Sequence, residues 1–158
     1  MRRHNSFIAG FTRMPPGSVK KAEGKYQRED CIMAGQVINI DDVPVGKITG
    51  REIRDIYNKE NTGQAGLSLR VTDVMPGETT YPAHIHRENE EIIFILSGTG
   101  DIKIGDTVFP LKPNDAIFIP GGKSHLIRNT GDDAMRMVCT FSTCDMAADL
   151  ESDDSLDF

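Results

Sequence analysis

The 158-residue sequence has no tryptophan, and aromatic residues of all kinds make up only 6% of it. It also lacks long apolar runs. The longest, such as Ile92 to Leu96 and Ala116 to Pro120, fall far short of the roughly 20 residues that a membrane helix needs, so no membrane span is expected. Near the start, Arg2 and Arg3 precede Phe7 to Phe11, but that stretch is too short and is broken by Gly10 for a secretory signal. The expected location is therefore cytoplasmic. Cysteine is scarce as well: Cys31, Cys139 and Cys144 are odd in number and have no CxxC spacing, which excludes a disulfide framework and a zinc knuckle. Cys139 lies in an alternating apolar run and reads as a small buried hydrophobe.

What the chain does have is charge of both signs, 27% of its residues, beside 38% hydrophobic residues. That mixture is compatible with one folded domain and not with wholesale disorder. The formal net charge of -6 hides a division. Residues 1–28 carry seven Lys/Arg and the single acid Glu23, whereas residues 145–158 carry six acids and no base. Both ends are polar and poor in periodic apolar positions, the composition of flexible arms. The expected organisation is a basic N-terminal arm (1–28), one folded domain (29–144) and an acidic C-terminal tail (145–158). No helix-turn-helix or zinc-finger pattern follows the basic arm, so nucleic acid is not an expected partner. An arm packed on an acidic barrel, its own or a neighbour's, is the simpler reading.

The middle of the chain reads as strands. Ile32 to Ile40 is rich in Ile and Val, Lys47 to Tyr57 fits neither period cleanly, and Gly66 to Val74 alternates apolar with polar residues. Further strands are expected at Tyr81 to His86, Glu91 to Leu96, Gly100 to Ile104, Thr107 to Leu111, Ala116 to Ile119, Ser124 to Asn129 and Arg136 to Phe141. Turn residues separate them at short intervals: Ser97-Gly98, Gly105-Asp106, Lys112-Pro113-Asn114, Pro120-Gly121-Gly122 and Asn129-Thr130-Gly131-Asp132. Many short strands punctuated in this way imply an all-β jelly roll, sandwich or barrel with little helix.

The histidines carry the chemistry. On a strand, His84 and His86 project from one face, close enough for two imidazoles to meet one ion. The polar stretch Arg87 to Glu90 suits a hairpin loop, which would lay Glu91 antiparallel beside them. His125 follows the Pro120-Gly121-Gly122 turn on another strand. Three imidazoles and a carboxylate suit one divalent transition ion, Fe, Mn, Ni, Co or Zn, with open positions for substrate. Glu88 and Glu90 compete with Glu91 for the carboxylate role, and alternation does not decide, because both faces of the following strand are apolar.

At these residues the sequence resembles the cupin superfamily. Its first motif runs here as Gly77, six residues, His84-Ile85-His86, four residues, Glu91, six residues, Gly98. Its second runs as Asn114, five residues, Pro120-Gly121-Gly122, two residues, His125, three residues, Asn129, with Asn114 where the family has glycine. The six-residue gap to Gly98 selects Glu91. The resemblance implies a double-stranded β-helix (jelly-roll) barrel, a metal site of His84, His86, Glu91 and His125, and a homodimer to which an N-terminal strand, here Ile32 to Ile40, contributes.

If those four residues face inward, Ile93, Ile95 and Ile127 face inward with them and give the pocket an apolar floor. Some cupin lyases place a tyrosine base where this chain has Ile93. Tyr57, Arg70 and Arg136 are further pocket candidates, the arginines as partners for an anion. The expected function is a metal-dependent dioxygenase acting on a small anionic or enolic molecule. The alternatives are a non-redox isomerase or lyase acting on a sugar or carboxylate, and a binding protein without turnover.

Overall fold

The computed structural model describes residues 36–62 and 66–158, so the expected basic arm (1–28) lies outside the described residues. The chain forms β1 (Gly46–Ile48), β2 (Arg51–Tyr57), a single-turn helix α1 (Lys59–Thr62) and β3 (Ser68–Val74). There follow β4 (Ala83–His86), β5 (Glu91–Ser97), β6 (Gly100–Ile104), β7 (Thr107–Leu111), β8 (Ala116–Ile119), β9 (His125–Asn129), β10 (Met135–Phe141) and β11 (Leu150–Asp153). The strands build two antiparallel sheets, one in the order β1-β2-β3-β10-β5-β8 and the other in the order β11-β4-β9-β6-β7. The two sheets face each other as a jelly-roll barrel, the all-β architecture expected from the spacing of strands and turns.

Three expectations are corrected. Of the strand expected over Ile32 to Ile40, residues 32–35 lie outside the described residues, 36–39 are not strand, and Ile40–Asp42 is a 3-10 turn. The Asn39 side chain accepts a hydrogen bond from the Asp41 amide, and that local cap competes with a ladder. The acidic tail is not loose over Leu150–Asp153, because β11 pairs with β4 and brings Leu150 opposite His86. Nor do β4 and β5 form a hairpin. They lie in different sheets, and Arg87 to Glu90 crosses between the sheets.

The barrel interior is filled by alternate residues of each strand. On β5, Glu91, Ile93 and Ile95 are buried and share the core with Ile102, Ile119, Ile127, Met135 and Met137. Burying each isoleucine contributes roughly 1.5–3 kcal/mol relative to leaving it exposed. The opposite face of β5 is also apolar yet open: Ile92, Phe94 and Leu96 are 52%, 39% and 47% exposed. Gly98 takes positive φ at the turn that ends β5, and Asn114 does so in the turn between β7 and β8, which supports the reading of Asn114 as a stand-in for glycine.

Candidate metal centre

The register of β4 on β9 sets His84 directly opposite His125, and strand periodicity puts His86 on the same inward face as His84. Glu91 enters from the opposite sheet as the first residue of β5. Its Oε2 lies 3.1 Å from His125 Nε2 and 3.6 Å from His86 Nε2. The ring centroids of His84 are 5.3 Å from those of His86 and 4.3 Å from those of His125. One donor atom from each of the four residues lies within 4.8 Å of the other three. Donors about 2.1 Å from a shared ion would be roughly 3 Å apart when adjacent and roughly 4.2 Å when opposite, so the spacing suits one ion.

The backbone holds this set from outside. Asp149 accepts hydrogen bonds from the amides of Glu88 and Asn89, both 3.0 Å, and from Asn89 Nδ2 at 2.6 Å. The Glu90 amide donates to Ser142 Oγ at 2.9 Å, and the Gly122 amide donates to the His86 carbonyl at 2.7 Å. The loop before Glu91 is thus fixed by Asp149 and Ser142, outside the ligand set, and the turn before His125 by the backbone of His86. His125 Nδ1 lies 3.1 Å from the Lys123 carbonyl. As the donor in that bond it leaves Nε2 with a lone pair aimed at Glu91.

Four polar atoms at the centre have no hydrogen-bond partner. His86 Nδ1 and Nε2, Glu91 Oε2 and His125 Nε2 are buried without a hydrogen bond. Such atoms are costly unless something satisfies them, and an imidazole lone pair facing a carboxylate oxygen calls for a cation between them. Burial, the charges of His125 and His86 and that of Arg51 hold His84 down to about 2, so its ring is neutral and able to ligate. Burial also lowers His86, against the pull of Glu91. The residues present therefore fit a divalent transition ion. Cys139 is buried beside them: desolvation and the neighbouring Glu91 push its thiol well up, as a small core hydrophobe's should be.

The other pocket candidates divide. Ile93, Ile95 and Ile127 face the core as expected. Arg70 faces inward, but its guanidinium is taken by Asp55, with Nε–Oδ1 at 2.6 Å and Nη2–Oδ2 at 3.2 Å. Arg136 lies on the outer face of β10 between buried residues of the inner face, and its side chain pairs with Asp73, so it is not in the pocket. Tyr57 donates its hydroxyl to the Gln36 carbonyl and is also not aimed at the site. Sequence reasoning missed Arg51. Register with the buried Val74 turns it inward, and its Nη1 is buried with no hydrogen-bond partner. The ambiguous period of the segment from Lys47 to Tyr57 concealed which residues of β2 face the core.

The Cupin domain family matches residues 70–141, a stretch that holds all four centre residues. The chain belongs to the cupin superfamily. This cupin is 36% identical over 90 residues to the uncharacterized protein MJ1618 of Methanocaldococcus jannaschii, a match that spans 57% of the chain and 71% of that relative. It is 24% identical over 106 residues to the polyketide synthase protein CurC of Streptomyces cyaneus, over 67% of the chain and 68% of the relative. Among solved structures it is similar to the polyketide cyclase RemF of Streptomyces resistomycificus, with a TM-score of 0.61 and 23% identity over 70% of the chain and 80% of RemF. Among the described residues of this cupin, no helix is long and apolar enough to cross a membrane.

Proposed function

We propose that this cupin is a mononuclear metal-dependent enzyme, a dioxygenase acting on a small anionic or enolic molecule. The observation that carries the reading is the composition of the interior. Three imidazoles and Glu91 converge there among isoleucines and methionines, and the acids on inward strand positions of the described residues are Glu91 and the Arg70-paired Asp55. An interior so poor in free acid-base groups favours chemistry supplied by an ion over chemistry supplied by side chains. His84, His86, Glu91 and His125 would hold that ion, which when bound would supply Lewis-acid and redox chemistry with positions open to substrate oxygen and O2. The chain's own part is to keep the His84 and His86 imidazoles neutral, to fix Glu91 through the Asp149-tied loop and to exclude water with the isoleucine floor.

A non-redox isomerase or lyase is the second reading. The similarity to a protein named as a polyketide synthase favours it, because polyketone chains enolise and close rings without oxidation. Elemental analysis of the purified protein, followed by O2 uptake with a panel of 1,3-diketones and 2-oxo acids, separates the two. Bound iron with stoichiometric O2 uptake is the expected result; turnover under anaerobic conditions with zinc would replace oxygenation by the second reading. For the site, His84→Ala and His125→Ala proteins should retain less than about a tenth of the wild-type metal, given the loss of one of four ligands. Unchanged stoichiometry in both would remove the assignment.

For assembly we propose a homodimer through the outer face of the β5-containing sheet, where Phe118 lies opposite Ile92 in register and is 58% exposed. The outer face of the other sheet is crossed by the chain's own C-terminus, with Phe158 stacked under Arg128 and the Asp157 carbonyl bonded to Lys103. Among the described residues Ile92, Phe94, Leu96 and Phe118 stay exposed on that face, and a second copy, presenting the same apolar patch, is the occupant that such a face favours. Phe118→Asp should convert a dimer to a monomer in sedimentation velocity; a monomeric wild type, or a dimer unaffected by the change, would overturn it.

A further inference from the structure

Six arginines lie among the described residues, and five of them, Arg54, Arg70, Arg87, Arg128 and Arg136, pair with a carboxylate. Arg51 is the sixth, and it has no acidic partner within ion-pair distance among the described residues. It sits at the start of β2 on an inward position, opposite Val74, which is fully buried. Its Nη1 is cut off from solvent and donates to nothing. The inward register of Arg51 gives it a common interior with the candidate metal centre, in keeping with the Arg51 charge that helps to lower His84 and the Glu91 charge that raises Arg51. Arg70, the other inward arginine, is already neutralised by Asp55.

A guanidinium partly withdrawn from water, with one nitrogen sealed off and no carboxylate within ion-pair distance among the described residues, costs stability, and such a group is kept where a ligand supplies the missing partner. Its fork of donors matches a carboxylate better than a neutral carbonyl or hydroxyl. We infer that Arg51 is the anchor for a carboxylate group of a small-molecule substrate, holding that molecule with its remaining oxygens toward the histidine cluster. This rests on the reading of the barrel interior as a small-molecule site, and it narrows the anionic or enolic class to carboxylic acids. It does not depend on whether the reaction uses O2.

The test uses the full chain with cobalt bound, and a matched portion stripped by chelator, with pyruvate and glycolate as probes and acetone and ethylene glycol as neutral counterparts. Calorimetry on wild type should detect pyruvate or glycolate and not the neutral compounds. Arg51→Met should weaken the acids at least tenfold in both the metal-bound and the stripped protein, about 1.4 kcal/mol or more, with cobalt stoichiometry unchanged. Arg51→Lys should recover part of the loss, and Arg136→Gln, on the outer face, should leave binding as in wild type. Thermal unfolding gives a readout that does not involve ligand. If Arg51 serves a ligand, Arg51→Met melts at or above the wild-type temperature; if it serves the fold, the variant melts lower. Equal acid affinity in wild type and Arg51→Met, equal affinity for acids and neutral counterparts, or a lower melting temperature in Arg51→Met would each overturn the inference. Loss of cobalt binding in wild type with Arg51-dependent acid binding intact in the stripped protein would overturn the metal reading alone.

Discussion

Asn129, the last residue of the second motif, does structural work at the scale of single atoms. It is 2% exposed, its Nδ2 donates to the carbonyls of Val74 at 2.9 Å and Asp133 at 2.8 Å, and its Oδ1 accepts from the Gly131 amide at 2.9 Å. Those bonds tie the end of β3 to the turn before β10. Asn129→Ala leaves three backbone groups without partners and should cost about 2–4 kcal/mol, read from the urea midpoint, with the metal content of the folded protein unchanged. Two glycines make a matched pair at this scale. Gly98 has φ +80°, and a Cβ there would lie 2.6 Å from Met135 Cα, whereas Gly105 has φ +55° with open space around it. Gly105→Ala should cost about 1–2 kcal/mol for the left-handed conformation alone. Gly98→Ala adds a backbone clash and should cost more than Gly105→Ala; equal urea midpoints for the two would show that the turn yields freely.

At the scale of elements, the site depends on a segment whose sequence gives no hint of it. β11 reads Leu-Glu-Ser-Asp, without an apolar alternation, and pairs with β4 because backbone groups and Asp149 hold it there. Asp149→Ala should release the loop that carries the chain from His86 to Glu91 and weaken metal affinity about 10–100-fold, as loss of groups supporting a ligand does, with far-UV circular dichroism unchanged. Affinity equal to wild type would mean that Ser142 and the strands alone position Glu91. The same comparison explains what could be read in advance. The strands from Ser68 to Phe141 were legible because period-two alternation and Gly, Pro and Asn turns are local signals. The set His84, His86, Glu91 and His125 was legible through its motif spacing. The crossing of Arg87 to Glu90 between sheets was not, since turn residues signal a reversal without naming the sheet that receives the next strand. Arg51 was invisible for a different reason: what marks it is the lack of a partner, which only the assembled interior defines.

On the whole molecule, the two outer faces are managed differently, and acid should reveal it. The outer face of the β5-containing sheet carries a charge cluster across three neighbouring strands, in which Asp73 of β3 receives Arg136 of β10 at 2.6 Å and Arg54 of β2 at 2.9 Å. Burial alone would raise the Asp73 carboxyl, but the hydrogen bonds and charges of Arg136 and Arg54 outweigh it and hold it below the ordinary carboxylate value. A carboxyl depressed in the folded state binds its proton less readily there than in the unfolded chain. Its stabilisation is therefore complete above the unfolded value near pH 4 and is lost as the pH falls through the lower folded value. Asp73→Asn should consequently be less stable than wild type by a constant amount between pH 5 and 7, with the gap closing below about pH 4. Urea midpoints at pH 3, 4, 5 and 7 measure it. A gap of the same size at pH 3 and pH 7 would mean that Asp73 holds the three strands by shape and neutral hydrogen bonds, and that its charge contributes nothing to the fold.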